Sequence, residues 1–314
     1  GGGGAQFNPS ISPLDPKQVF VSCDMTCAFA SEDGGDSWRM FNLRGVVRFF
    51  AFDPSNVDVV YAQSCGLWRR SDGGGTWMLV YPDPSTVREV IYAGDHAQDR
   101  ILTREGSPDV VEALAVDPSD SKTLFAVFSS GERVALRVSC DWGKTWRHNA
   151  DLPAGARGIF IDPQSPDADR TVYVIAANSV SVRERGAWTH HGGPPGVARF
   201  NSVSAGFASL GGRLVAYGVA GNAWRGTESS SPGIYMSDDG GESWRKVDGD
   251  LLAKASPGEP VPRMNAVAAC LTRPEVVYVS YQGLAVNGEQ LLGVAGSRDS
   301  GKTWSLLWKD TPTK

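Results

Sequence analysis

The chain has 314 residues, with 35 acidic and 30 basic side chains and a net charge of −5 at pH 7. That balance argues against a nucleic-acid partner, whose phosphates call for a basic surface. No apolar run reaches membrane-spanning length, and 37 Gly and 19 Pro alongside ten Trp favour many short strands and turns over long helices.

No signal peptide is visible at Gly1, so a leader, if one exists, is expected to have been removed. The first apolar segment, ISPLDPKQVFVS at 11–22, reads as strand, Asp-Pro turn, strand. The same pattern returns as FFAFDPSNVDVVYAQ at 49–63, ALAVDPSDSKTLFAV at 113–127 and GIFIDPQSPDADRTVYVI at 158–175. After most of these comes a second phrase: SEDGGDSW at 31–38, RSDGGGTW at 70–77, SCDWGKTW at 139–146, SDDGGESW at 237–244 and SRDSGKTW at 297–304. Its Asp can accept backbone N–H groups inside a tight turn, its Gly supplies positive φ, and its Trp opens the next strand with a large packing face. Asp33, Asp72, Asp141, Asp239 and Asp299 are therefore read as turn formers, because an enzyme needs one site and not five copies of it. The fourth repeat ends at Trp188 with a shortened phrase, RERGAW. The fifth has Leu210-Gly211-Gly212 where the others have Asp-Pro, and the sixth has Arg273-Pro274.

Each repeat reads strand, turn, strand, loop, strand, turn, strand, which is a four-stranded propeller blade. The expected fold is all-β: a β-propeller of at least six four-stranded antiparallel blades (six to seven), forming one domain over 1–314. A hairpin inserted at about 85–112 is expected between blades two and three, and the last blade ends close to Lys314, where further chain can follow. The turn phrase resembles the Asp-box, or BNR repeat, of sialidases, sortilin-type receptors, photosystem assembly factors and tandem-propeller xyloglucanases. That resemblance implies the propeller fold and says little of function.

Function must come from residues that do not repeat as turn formers. Arg48, Arg157, Arg199 and Arg263 each stand at or just before the start of a blade's innermost strand. Gathered at a channel mouth they would bind carboxylate or sulfate; alternatively they bond backbone carbonyls between blades. His96, in Gly94-Asp95-His96, and His191, before Gly-Gly-Pro-Pro, can serve as bases near neutral pH. Asn222, Trp224 and Arg225 in the loop GNAWRGTESS form a candidate sugar platform. The five cysteines show no C-x-x-C spacing, so no zinc site is expected. Cys27 and Cys65, at similar positions in adjacent repeats, pair or remain buried thiols. No metal or cofactor is expected.

A closer resemblance rests on the opening glycines and on CDMTCAF at 23–29, with CGLWRR at 65–70 before the second turn phrase. These resemble the first propeller of the tandem-propeller xyloglucanases, which carry T-D-I-G-G-A-Y and G-L-W-R-S. The resemblance implies that Asp24 is one of two catalytic carboxylates. Thr26 and Cys27 depart from the family's two glycines, and its second carboxylate lies on a second propeller. Within this sequence Glu132 and Glu289 are the candidates for that partner. The expected function is a secreted or periplasmic glycoside hydrolase acting on a polysaccharide or oligosaccharide, one of anionic character if the arginines gather. The alternatives are a non-catalytic glycan- or protein-binding propeller and a lyase on a uronic-acid glycan working through His96 or His191.

Overall fold

The computed structural model describes residues 5–25, 27–94, 98–208, 212–221, 231–255, 263–284 and 290–309. The fold is an all-β propeller. Six four-stranded antiparallel sheets, each a simple meander in chain order, form its blades, and one two-stranded hairpin is added. The chain divides into two compact units, residues 1–155 and 156–314, with three blades each.

In the first unit the first blade is β1 (Gln6–Ile11), β2 (Val19–Cys23), β3 (Ala28–Ser31) and β4 (Arg39–Phe41). The second is β5 (Phe49–Phe52), β6 (Val60–Gln63), β7 (Leu67–Arg70) and β8 (Met78–Tyr81). A hairpin of β9 (Val87–Ile91) and β10 (Arg100–Thr103) follows. The third blade is β11 (Val110–Asp117), β12 (Asp120–Ser130), β13 (Arg133–Ser139) and β14 (Arg147–Asp151). The hairpin is thus shorter than the sequence suggests. Residues 110–112 already belong to the third blade, because Val111 and Ala113 are needed in its core.

In the second unit the blades are β15 (Ala156–Ile161) to β18 (Ala187–Gly192) by way of β16 (Val172–Ala176) and β17 (Ser179–Glu184); then β19 (Ser202–Phe207), β20 (Leu214–Ala220), β21 (Gly233–Ser237) and β22 (Arg245–Lys246). The last is β23 (Arg263–Ala269), β24 (Val277–Leu284), β25 (Gln290–Ser297) and β26 (Ser305–Lys309). One short helix, α1 (Gly249–Ala255), precedes it.

Neighbouring blades within a unit share their apolar faces. Phe20 of the first blade is fully buried against Phe50 and Phe52 of the second, and Trp77 stacks on Phe41 at 5.3 Å. In the second unit Val219 and Ile234 meet Val277, Val279 and the buried Trp304. Burying each such side chain contributes about 1.5–3 kcal/mol.

The repeated turn works as a small hydrogen-bond cage. In the third blade Ser139 Oγ donates to Asp141 Oδ1 (2.8 Å) and accepts from Gly143 N–H (2.9 Å). The N–H and hydroxyl of Thr145 then close on the two Asp141 oxygens at 2.9 and 2.6 Å. Trp142 and Gly143 hold φ of 62° and 86°, which the local bonds stabilise. The same cage is built around Asp33, Asp239 and Asp299. The second copy departs from it. Arg70 replaces the serine, lies 1% exposed, and sends Nη1 to Glu32 (3.0 Å) and to the Gly74 carbonyl (3.3 Å). Asp72 there accepts from Gly74 N–H instead. In the fourth blade the shortened phrase becomes a two-residue hairpin turn, with Arg185 and Gly186 both at positive φ.

A four-stranded meander has two ends. The first-to-second and third-to-fourth turns lie at one end, so the Asp-Pro turns and the caged turns share it. The second-to-third turn and the link to the next blade lie at the other, where Asp24 stands in the first blade and each of the four arginines stands in its own blade.

Candidate active site

Asp24 follows β2 in the turn to β3. Its N–H donates to the Ala5 carbonyl (3.1 Å), Cys23 N–H donates to the Cys27 carbonyl (3.1 Å), and the Cys23 thiol lies 3.7 Å from Asp24 Oδ1. The carboxylate is half-buried. The corresponding residue of the second blade, Ser64, is buried and spends its hydroxyl on the Leu43 carbonyl (2.6 Å). Asp24 is therefore a departure from the repeat rather than part of it.

The hairpin packs onto this end of the second blade, with Gln98 Nε2 donating to the Ser64 carbonyl at 2.5 Å. Together they enclose a cavity of ≈ 40 Å³ lined by Gln63, Ser64, Cys65, Gln98 and Asp109 among others. The Gln63 side chain is buried and its Oε1 has no partner, which leaves an acceptor at this cavity for a donor such as water. Asp109 is paired with Arg137, and Asp99 with Arg44 at 3.1 Å.

Glu112 was missed by the sequence reading. It sits where the β11–β12 ladder slips between Val111 and Ala113, a bulge that takes it out of register. Its half-buried carboxylate lies over Gly155, where a Cβ would collide with it. The signal was available: one acid inside an otherwise apolar strand, VVEALAV. Glu132 lies on the β12–β13 turn at the same end of that blade and is exposed.

Arg48 is exposed. Its backbone N–H donates to the Gln63 carbonyl (2.7 Å) and its carbonyl accepts from Asn8 Nδ2 (3.1 Å). Arg157 occupies the bulge between Ala156 and Gly158 and is exposed, as is Arg199. Among the described residues none of these three guanidinium groups has an ion-pair or backbone partner. Arg263 opens β23 at the matching position. His191 is half-buried opposite Val180 on β18, while His190 Nδ1 lies 2.8 Å from Ser181 Oγ. His96, Glu289, Asn222, Trp224 and Arg225 lie outside the described residues, as does the side chain of Arg263.

The five cysteines are free thiols. Cys65 does not pair with Cys27 but turns to the Leu43 carbonyl (3.6 Å), and burial raises its pKa. Among the described residues no group of three or more His, Cys, Asp or Glu is set to hold a metal ion, and no helix is long and apolar enough to cross a membrane.

The class these features define is a β-propeller whose variable residues lie on the end opposite the caged turns. No family model matches the chain. By sequence it is 24% identical over 285 residues to a xyloglucanase from a Paenibacillus species, an alignment covering 76% of this chain and 26% of that enzyme. The chain thus spans about a quarter of that relative. By structure it is similar to an ancestral GH74 enzyme, with a TM-score of 0.63 and 16% identity over 99% of this chain and 40% of that one. It is also similar to YCF48 from Cyanidioschyzon merolae, with a TM-score of 0.53 and 16% identity over 96% of this chain and 85% of that one. The two solved structures carry the fold, and the chain resembles the GH74 xyloglucanases in both sequence and structure.

Proposed function

We propose that this propeller acts as a glycoside hydrolase on a β-glucan of the xyloglucan type, with Asp24 as one of its two working carboxylates. The observation that carries the reading is the place of Asp24: a half-buried, non-repeated acid on a turn that the second blade fills with the structural Ser64. The sequence likeness to a xyloglucanase supports the substrate class. Hydrolysis needs one carboxyl to protonate the leaving oxygen and one carboxylate to activate water or attack the sugar. Glu112 is the better second acid in the first unit, because its bulge removes it from the ladder; Glu132 is the more exposed alternative. A polysaccharide of this kind is met outside the cytoplasm, which is the basis for proposing secretion.

The test is incubation of purified protein with a panel of neutral and acidic polysaccharides, read by mass spectrometry of released oligosaccharides. Release expected from xyloglucan should fall by at least about 100-fold in Asp24→Asn, with the melting temperature unchanged. No release from any glycan by wild type would overturn the reading in favour of a binding propeller. Products carrying an unsaturated uronate would instead identify a lyase.

A further inference from the structure

The turn that carries Asp24 is flanked by two cysteines. Cys23 is the last residue of β2, and Cys27 immediately precedes β3. Ser22 pairs with Ala28 in that ladder, and the next rung brings Cys23 opposite Cys27, joined by the 3.1 Å bond from Cys23 N–H to the Cys27 carbonyl. Directly opposed residues send their side chains to the same face of a sheet. Residues opposed across antiparallel strands have Cα atoms about 4.5–5.5 Å apart, inside the roughly 4.4–6.8 Å window a disulfide requires. Both residues are buried, 2% and 9% exposed, so neither is a surface thiol.

The other three cysteines have different neighbours. Cys65 faces the Leu43 carbonyl, Cys140 is exposed beside Arg147, and Cys270 lies 3.9 Å from Thr272. Of the five, Cys23 and Cys27 alone face each other across one turn, joined by the Cys23 N–H to Cys27 carbonyl bond.

We infer that Cys23 and Cys27 are a vicinal dithiol that closes to a disulfide across the Asp24 turn, making this turn a site of redox modification. The co-reactant is a small-molecule disulfide of the oxidised-glutathione class. One cysteine thiolate attacks it, forming a mixed disulfide and expelling one small thiolate. The second cysteine thiolate then attacks the protein sulfur of that mixed disulfide, and the second small thiolate leaves. One sulfur–sulfur bond forms in the protein and one breaks in the oxidant. The protein loses two electrons and two protons, and the oxidant becomes two thiols. Burial, and after it the hydrogen bond to the Cys23 thiol, pushes the Cys27 thiol up to about 11, so closure is slow at neutral pH and faster in alkali. The bond would limit the freedom of the turn holding Asp24, whatever role that carboxylate plays.

Trypsin isolates the pair, because residues 18–39 contain Cys23 and Cys27 and no other cysteine. The full chain is incubated with oxidised glutathione at mildly alkaline pH, then alkylated with iodoacetamide and digested. The expected result is a peptide two hydrogens lighter that takes no alkyl group until it is reduced. In Cys23→Ser the same peptide should carry one glutathione or one alkyl group, which shows that the remaining thiol is accessible to reagent. A wild-type peptide bearing two alkyl groups or two glutathiones would overturn the proposal, as would one cross-linked to the peptide containing Cys65.

Discussion

One residue separates two kinds of turn in this protein. Where the repeated phrase begins with serine, its hydroxyl bonds the aspartate and the glycine N–H, as at Ser139. Where it begins with Arg70, that cage is not built, and the buried guanidinium is held by Glu32, the Gly74 carbonyl and the face of Phe20 at 5.1 Å. The aspartates look interchangeable in sequence, yet their surroundings differ. Thr145 bonds Asp141 through both its N–H and its hydroxyl, whereas no such bond joins Thr76 to Asp72. Thr145→Val should therefore cost about 1 kcal/mol, and Thr76→Val less than about 0.5 kcal/mol. Urea unfolding checks this: the midpoint should fall for the first variant only, with the slope unchanged in both.

At the scale of elements, the propeller was legible because two phrases repeat with fixed contents, so that strand order and turn positions follow from counting. What escaped was whatever depends on a neighbour. Glu112 is the one acid in the apolar run VVEALAV, but that it sits at a bulge follows only from the slip of the β11 ladder beside it. The limit of the hairpin was misplaced because Val110 and Val111 read equally well as its end or as the start of the next blade. Gly218 is another such case, an unremarkable glycine in β20 whose missing side chain makes room for the fully buried ring of Phe200. That ring in turn packs on Trp244 at 4.9 Å. Gly218→Ala should displace Phe200 and cost about 1–3 kcal/mol through overpacking. A lower melting temperature together with altered near-ultraviolet circular dichroism is the expected signature, and an unchanged aromatic spectrum would contradict it.

Across the whole molecule the caged carboxylates set the response to acid. Hydroxyl and N–H bonds from Ser37, followed by the Ser31 hydroxyl, hold Asp33 well below the usual carboxylate range. Thr303 and then Ser297 lower Asp299 from 3.8 to about 2. For Asp141 and Asp239 desolvation is the largest influence and acts upward, but the combined hydrogen bonds outweigh it and the net shift is downward. Asp248 runs the other way, since burial raises it against the pull of Lys246. A carboxylate with a folded-state pKa below its unfolded value contributes stability that is fully present above the unfolded value and is lost as pH falls through the folded one. Both units carry such groups, so the melting temperature should hold steady down to the unfolded value of 3.8 and then fall as pH approaches about 2. Asp248 works against this, since its raised carboxyl makes its contribution to stability grow as pH falls towards 3.8, but it is one group against six lowered aspartates, Asp238 and Asp250 included. Asp299→Asn should lower the melting temperature near neutral pH, flatten the acid limb and bring variant and wild type together at the lowest pH. A constant difference at every pH would show that the charge on Asp299 contributes nothing and that its acceptor geometry alone holds the turn.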